Sequence, residues 1–199
     1  MEIINLFGAS GHAKVIKDII EASGNQVGYL YDDSPHSMEL HGAPVLKASE
    51  VKVTGPIIIS IGSNSVRKTI ANRYSIDYRK AIHPSSIISP CATIGIGTVV
   101  MQGAIIQSDV KIGKHCIINT GASIDHECEI GDFVHISPHA TLCGNVHVGE
   151  GSWIGAGAIV IPGIKIGKWC TIGAGSVVTK DIPDNVVACG NPCRIIKHT

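Results

Sequence analysis

The chain has 199 residues, with 16 Lys+Arg balancing 16 Asp+Glu and a pI near 7.1. No net field favours nucleic acid or anionic lipid, and no apolar run approaches the roughly 20 residues of a membrane-spanning helix. Seven cysteines without a Cys-x-x-Cys pair, behind an N-terminus lacking a basic region or cleavage site, read as reduced thiols in a cytoplasmic protein.

The first part alternates strands with helices. IINLF (3–7) reads as a buried strand, HAKVIKDIIEA (12–22) as an amphipathic helix and QVGYLY (26–31) as a second strand. PIIISIG (56–62) is a further strand and NSVRKTIANRY (64–74) a further helix. This alternation predicts a small parallel sheet with βαβ crossovers, a Rossmann-like α/β domain over residues 1–82. GASGH (8–12), YDD (31–33) and SIGSN (60–64) are three loops at one edge of that sheet. A Gly-rich turn before a helix lets backbone N–H groups face phosphate, although alone it serves equally as a tight strand–helix connection. Ser10 and Ala13 break the G-x-G-x-x-G spacing, so no dinucleotide cofactor is expected.

After residue 83 the pattern changes. Every sixth residue from Ile82 to Val178 is Ile, Val or Leu, and the fourth position after each is usually small or β-branched. Glycine follows the aliphatic at 95, 113, 131, 149 and 167, a spacing of eighteen. A period of six excludes helix. It predicts one short strand and turn per hexapeptide, three hexapeptides per coil, and stacked coils burying the aliphatic ladder over residues 83–199. Roughly five coils fit, and the ladder is expected to fold without residues 1–80. Cys116, Cys128 and Cys170 fall on small interior rungs and read as packing residues. Asn119, one place after the ladder residue Ile118, is expected to point outward.

One stretch breaks the monotony: Asp125, His126 and Glu127 stand together between the ladder residues Ile124 and Ile130. Imidazole titrates near working pH and can take the proton shed as an amine attacks a thioester. A carboxylate on its other nitrogen would fix the tautomer. Neighbours in an extended strand point apart, so Glu127 reaches His126 only across a turn; otherwise Asp125 or another subunit's carboxylate serves, or the base acts alone.

The repeat, the stretch DHECEIGDFVHIS and the closing segment GAGSVVTKDIPDNVVACGNPCRIIK, with Cys193 in place of a frequent Ala, resemble the hexapeptide acyltransferases. Those are left-handed parallel β-helices that usually form trimers with sites between subunits. With GASGHAKVIKDI included, the whole chain is similar to bacterial sugar O/N-acetyltransferases, nearest to the UDP-4-amino-sugar N-acetyltransferases of the bacillosamine type. The resemblance implies an acetyl-CoA-dependent homotrimer that acetylates the amino group of a nucleotide-activated sugar for surface glycan or glycoprotein synthesis. It implies His126 as base with Glu127 as partner, and His135, Gly144, Ala156 and Ala174 as acetyl-CoA contacts, Gly144 lending its N–H to the oxyanion. Ser10, Gly11, His12, Asp32, Asp33 and Gly62 would hold the nucleotide sugar, with Asn119 near the sugar, and Lys180, Arg194 and Lys197 would serve CoA phosphates or stand as ordinary surface charges. Sialic acid O-acetylation is the alternative reaction, and a non-catalytic sugar-nucleotide-binding scaffold the alternative class. His135, His139 and His147 also resemble the three histidines of hexapeptide zinc carbonic anhydrases. Those enzymes need no βαβ unit, so no metal is expected.

Overall fold

The computed structural model describes residues 1–198. Its N-terminal unit runs β1 (Ile3–Phe7), α1 (Gly11–Ala22), β2 (Gln26–Asp32), β3 (Glu39–Leu40), β4 (Ala43–Lys47), β5 (Ile57–Ile59) and α2 (Asn64–Arg73). The strands form one sheet in the order β3-β4-β2-β1-β5, parallel apart from the β3–β4 hairpin. That hairpin was not expected from sequence. Its turn places His41 (φ 47°) and Gly42 (φ 79°) in the left-handed region, the two positions a tight hairpin turn requires.

From Ala81 to Val178 the chain is a left-handed parallel β-helix of two-residue strands. Each strand pairs with the one eighteen residues later, as in Ile105 with Ser123, Lys111 with Glu129 and Ile117 with His135. Three parallel sheets result, forming the sides of a triangular prism. The docked face carries Val99, Ile117, His135, Trp153 and Thr171 outward; the open face carries Ile87, Ile105, Ser123, Thr141 and Ile159; the charged face carries Lys111, Glu129, His147 and Lys165. The chain passes from docked to open to charged face in every coil. Val186–Cys189 continues the docked face and pairs antiparallel with Arg194–His198.

The ladder faces inward as the spacing requires. Ile106, Ile118, Ile124, Ile136, Leu142 and Ile154 form one core with the small rungs Ala104, Ala122 and Ala140. Cys116, Cys128 and Cys170 lie in the same core, and burial pushes the thiols of Cys116 and Cys128 up to about 12 and about 11. Such thiols stay protonated and pack as small hydrophobes.

The interior ladder forms its core from β-helix residues alone, but outward residues of the docked face do not stand free. Val99, Ile117 and Met101 point outward yet are buried, because α1 lies on them with Ala13, Ile16, Ile19 and Ile20. A second contact comes from α2. Arg67 is 1% exposed, and all five of its N–H groups have acceptors. Nε donates to His115 O, Nη1 to Ile61 O and Gly62 O, and Nη2 to Asn64 Oδ1 and Phe133 O, at 2.8–3.1 Å. Asn64 donates in turn to Gly151 O and Ser152 O, and Lys68 pairs with Glu150 while lying over the Trp169 ring.

Two consequences are measurable. Ile118→Ala removes a fully buried rung and should cost about 2–5 kcal/mol, read as a clear fall in melting temperature. Burial first, and the Arg67 charge next, hold His12 and His115 down to about 4 and His135 to about 3, against an ordinary 6.5. Between those values the unfolded chain binds protons that the folded chain refuses, so stability is full above about pH 6.5 and declines as the pH falls toward 4. Thermal melts at about pH 7.5 and about pH 5 should show the lower midpoint at the acid end; equal midpoints would contradict neutral imidazoles.

Candidate active site

His126 lies in the turn joining the open and charged faces. Glu127 takes φ 60° there, a left-handed conformation unusual for a side-chain-bearing residue. That bend cancels the alternation of an extended strand and brings its carboxylate back to its neighbour: His126 Nδ1 and Glu127 Oε2 are 3.0 Å apart. Asp125 is used differently, its Oδ1 accepting the His126 backbone N–H at 2.8 Å. A carboxylate on Nδ1 keeps the hydrogen there and leaves the Nε2 lone pair free. Both side chains are open to solvent, His126 57% and Glu127 64% exposed.

Gly144 sits one coil above His126. A Cβ on Gly144 would lie 2.6 Å from Cε1 and Nε2 of His126, so only glycine lets the imidazole rest over the backbone. Its own φ is outside the left-handed region, so this constraint is space and not conformation. Its carbonyl accepts from Gly163, whereas its N–H makes no backbone bond among the described residues. A base and a free N–H donor therefore share one edge of the prism.

The other expected acetyl-CoA residues are elsewhere. His135 is on the docked face, 8% exposed, and its Nε2 is 3.0 Å from Asn119 Nδ2. Asn119 is therefore half-buried and engaged, not a free outward residue. His135, Ala156 and Ala174, three of the four expected contacts, share a groove of about 410 Å³ with Trp153. Gly144 is not among its lining residues. In a single chain the whole open face separates the His126 edge from this groove, because residues 119–122 and 155–158 form the docked–open edge and 125–128 and 143–146 the open–charged edge.

The residues expected to hold a sugar nucleotide collect at the carboxyl ends of β1, β2 and β5, where parallel sheets generally bind ligands. Gly8 takes φ 112°, and a Cβ there would strike Ser60 O at 2.9 Å, so the first loop closes tightly on the third. Asp32 accepts the N–H of Ala9 at 2.9 Å and of Ser34 at 2.8 Å, so both its oxygens shape the loop. Asp33 pairs with Arg73 at 2.8 and 2.9 Å on the surface. Ser10 is the N-cap residue of α1 with its hydroxyl uncommitted, and Gly11 is exposed. His12 keeps a buried Nε2 without a partner. Gly62 lines a second groove, about 470 Å³, together with Ser63, Asn64, Trp153 and Trp169.

The three histidines of the metal alternative do not converge within the chain. His135 is on the docked face, His139 is an exposed turn residue on the docked–open edge, and His147 is in a strand of the charged face, 3.4 Å from Glu129. Arg67, Asn64 and Trp153 escaped the sequence reading. A weak signal for the first two existed, since Asn64, Arg67 and Ile70 recur at helical spacing on one buried face.

A hexapeptide β-helix with a polar base at one edge and a glycine amide above it is the architecture of hexapeptide transferases. Residues 3–74 match the PglD N-terminal domain family, and residues 109–144 and 145–180 match the bacterial transferase hexapeptide (six repeats) family. A UDP-N-acetylbacillosamine N-acetyltransferase of Bacillus subtilis is 46% identical over 112 residues, spanning 51% of this chain and 52% of that relative. A variant of perosamine N-acetyltransferase from Caulobacter crescentus, solved with CoA and GDP-perosamine, superposes with a TM-score of 0.92 at 36% identity, covering 99% of this chain and 97% of that one. The acetyltransferase domain of PglB from Neisseria gonorrhoeae with acetyl coenzyme A gives 0.92 at 34%, covering 98% of each chain. The chain belongs to the hexapeptide-repeat transferases that carry a PglD N-terminal domain. Among the described residues no helix is long and apolar enough to cross a membrane, and no group of three His, Cys, Asp or Glu could hold a metal ion.

Gly144→Ala separates site from scaffold. The added methyl displaces an exposed ring, so stability should change by about 0.5 kcal/mol or less. Turnover should fall about 10-fold or more as the imidazole leaves its carboxylate and the neighbouring N–H. Melting curves beside steady-state rates check this, and an active Gly144→Ala enzyme would break the link.

Proposed function

We propose that the protein is an acetyl-CoA-dependent N-acetyltransferase that acetylates the amino group of a nucleotide-activated amino sugar. The observation that carries this is the His126–Glu127 pair over Gly144, held by the left-handed turn residue that recurs every six positions and that here carries a carboxylate. His126 Nε2 takes the proton released as the amine attacks the thioester carbonyl, Glu127 stabilises the imidazolium, and the Gly144 N–H faces the oxyanion. The groove of His135, Ala156 and Ala174 suits a pantetheine arm, being mostly apolar with the backbone N–H groups of Ala156 and Ala174 free of backbone bonds among the described residues. Ser10, Gly11, His12 and Gly62 line the loops where the sugar nucleotide sits, while Asp32 and Asp33 shape them. The solved Caulobacter relative carries CoA and GDP-perosamine, and the curated relative's name gives a UDP-linked sugar, so a nucleotide-linked sugar is common to both and the base is open.

The site is completed by a second copy. His126 and Glu127 are solvated in one chain, and the groove lies on another edge of the prism. A cyclic homotrimer in which one copy supplies His126 and the next the groove joins the halves. Ile87 and Ile159, 66% and 43% exposed on the intervening open face, are suited to burial there. Such an enzyme serves glycan synthesis in the cytoplasm.

His126→Ala should lower kcat by about 100-fold or more without changing CoA affinity, measured by thiol release from acetyl-CoA with a panel of UDP-, CMP- and GDP-amino sugars. Retained turnover would remove the base assignment. Mixing inactive His126→Ala chains with Ala156→Trp chains, whose groove is blocked, should regain activity through hybrid sites after subunit exchange. Absence of any regain would place the whole site within one chain.

A further inference from the structure

Trp153 stands where nothing in the ladder calls for an aromatic. Its rung neighbours on the docked face are His135 and Thr171. Ile117, two coils below, is covered by α1, whereas Trp153 is 46% exposed. The indole lies parallel to the His135 ring, with centroids 5.4 Å apart and planes 6° apart. Its Nε1 donates to Ser137 Oγ at 2.7 Å, which fixes the ring about its own axis. The same indole lines both grooves, facing Ala156 and Ala174 in one and Gly62 and Ser63 in the other.

The imidazole beneath it has its hydrogen placed by a chain of bonds. Thr120 N–H donates to Asn119 Oδ1 at 2.8 Å, which turns Asn119 Nδ2 toward His135 Nε2 at 3.0 Å. An amide nitrogen only donates, so Nε2 accepts and the neutral ring carries its hydrogen on Nδ1. That Nδ1 is buried without a partner. Buried donors are nearly always satisfied, so an unsatisfied one beside a groove marks where an acceptor arrives. The charged or titratable groups bearing on the ring are Arg67 of α2 and His12 of α1.

We propose that Trp153 is a positioning residue: its indole clamps His135 as a buried Nδ1–H donor to a carbonyl oxygen of the acyl carrier, and walls that groove off from the neighbouring groove lined by Gly62 and Ser63. This rests on the acetyltransferase reading above. Without the indole, water reaches His135. Burial is the first cause of its depressed pKa, about 3, so exposure lets it climb toward 6.5. The protonated ring can no longer accept from Asn119, and the donor loses its orientation.

The test compares wild type, Trp153→Phe and Trp153→Ala. Long-range 1H–15N spectra of the His135 ring, assigned with His135→Gln, should show the neutral Nδ1–H tautomer in wild type between about pH 5.5 and 8. Trp153→Phe keeps a stacking face and should match it. In Trp153→Ala the ring should titrate within that range. The KM for acetyl-CoA should rise about 10-fold at pH 8 and further at pH 6, while Trp153→Phe stays within about 3-fold. A neutral Nε2–H tautomer in wild type overturns the proposal even if Trp153→Ala fails to fold. So does a folded Trp153→Ala with unmoved titration and unmoved KM. Absence of acetyl transfer by the wild type would instead sink the functional reading, which the ring spectra do not measure.

Discussion

The buried guanidinium of Arg67 is the contact on which the arrangement of both units depends. A charge taken out of water is costly unless its hydrogen-bonding capacity is filled. Here that is done by four backbone carbonyls and one amide oxygen, without a carboxylate, from α2, the loop after β5 and two coils of the β-helix. Burial lowers its pKa to about 10, which leaves it charged at neutral pH. Five donors in one planar fork fix distance and orientation together, which a lysine could not do. The carbonyls of Ile61 and Gly62 belong to the third loop of the sheet, so the contact that docks the units also sets the loop beside the groove.

The same charge determines protonation nearby. Its field adds to burial in keeping His12, His115 and His135 neutral. His115 is held as an aromatic, stacked on Phe133 at 5.3 Å and edge-on to Tyr78 at 4.6 Å. His135 remains a neutral partner for Asn119. His126 is on a different edge, exposed and beside a carboxylate, the setting a proton acceptor needs. Two histidines nine residues apart thus receive opposite electrostatic roles from position alone.

The repeat imposes a strict geometry on function. Eighteen residues per coil put residue 144 over 126 and residue 153 over 135, whatever their side chains. Chemistry enters at positions the ladder leaves free: turn residues at the edges and outward residues on the faces. His126 and the groove occupy different edges, so in one chain the flat open face lies between them.

The sequence by itself determined the β-helix, its register and its interior, because a period of six is a local property repeated without interruption from Ile82 to Val178. It also placed the βαβ unit and singled out His126, since a polar triplet stands out against such a ladder. The β3–β4 hairpin was not legible, its short strands holding too few apolar residues to show a period. Tertiary structure alone decided that Glu127 reaches His126, because the left-handed turn overrides strand alternation. It decided that Asn119 and His135 are joined, since this pair, sixteen residues apart in sequence, meets only when one coil lies on the next. It also decided that Arg67 is buried, because a single arginine in a polar helix reads as solvated until the carbonyls that receive it come from another part of the chain.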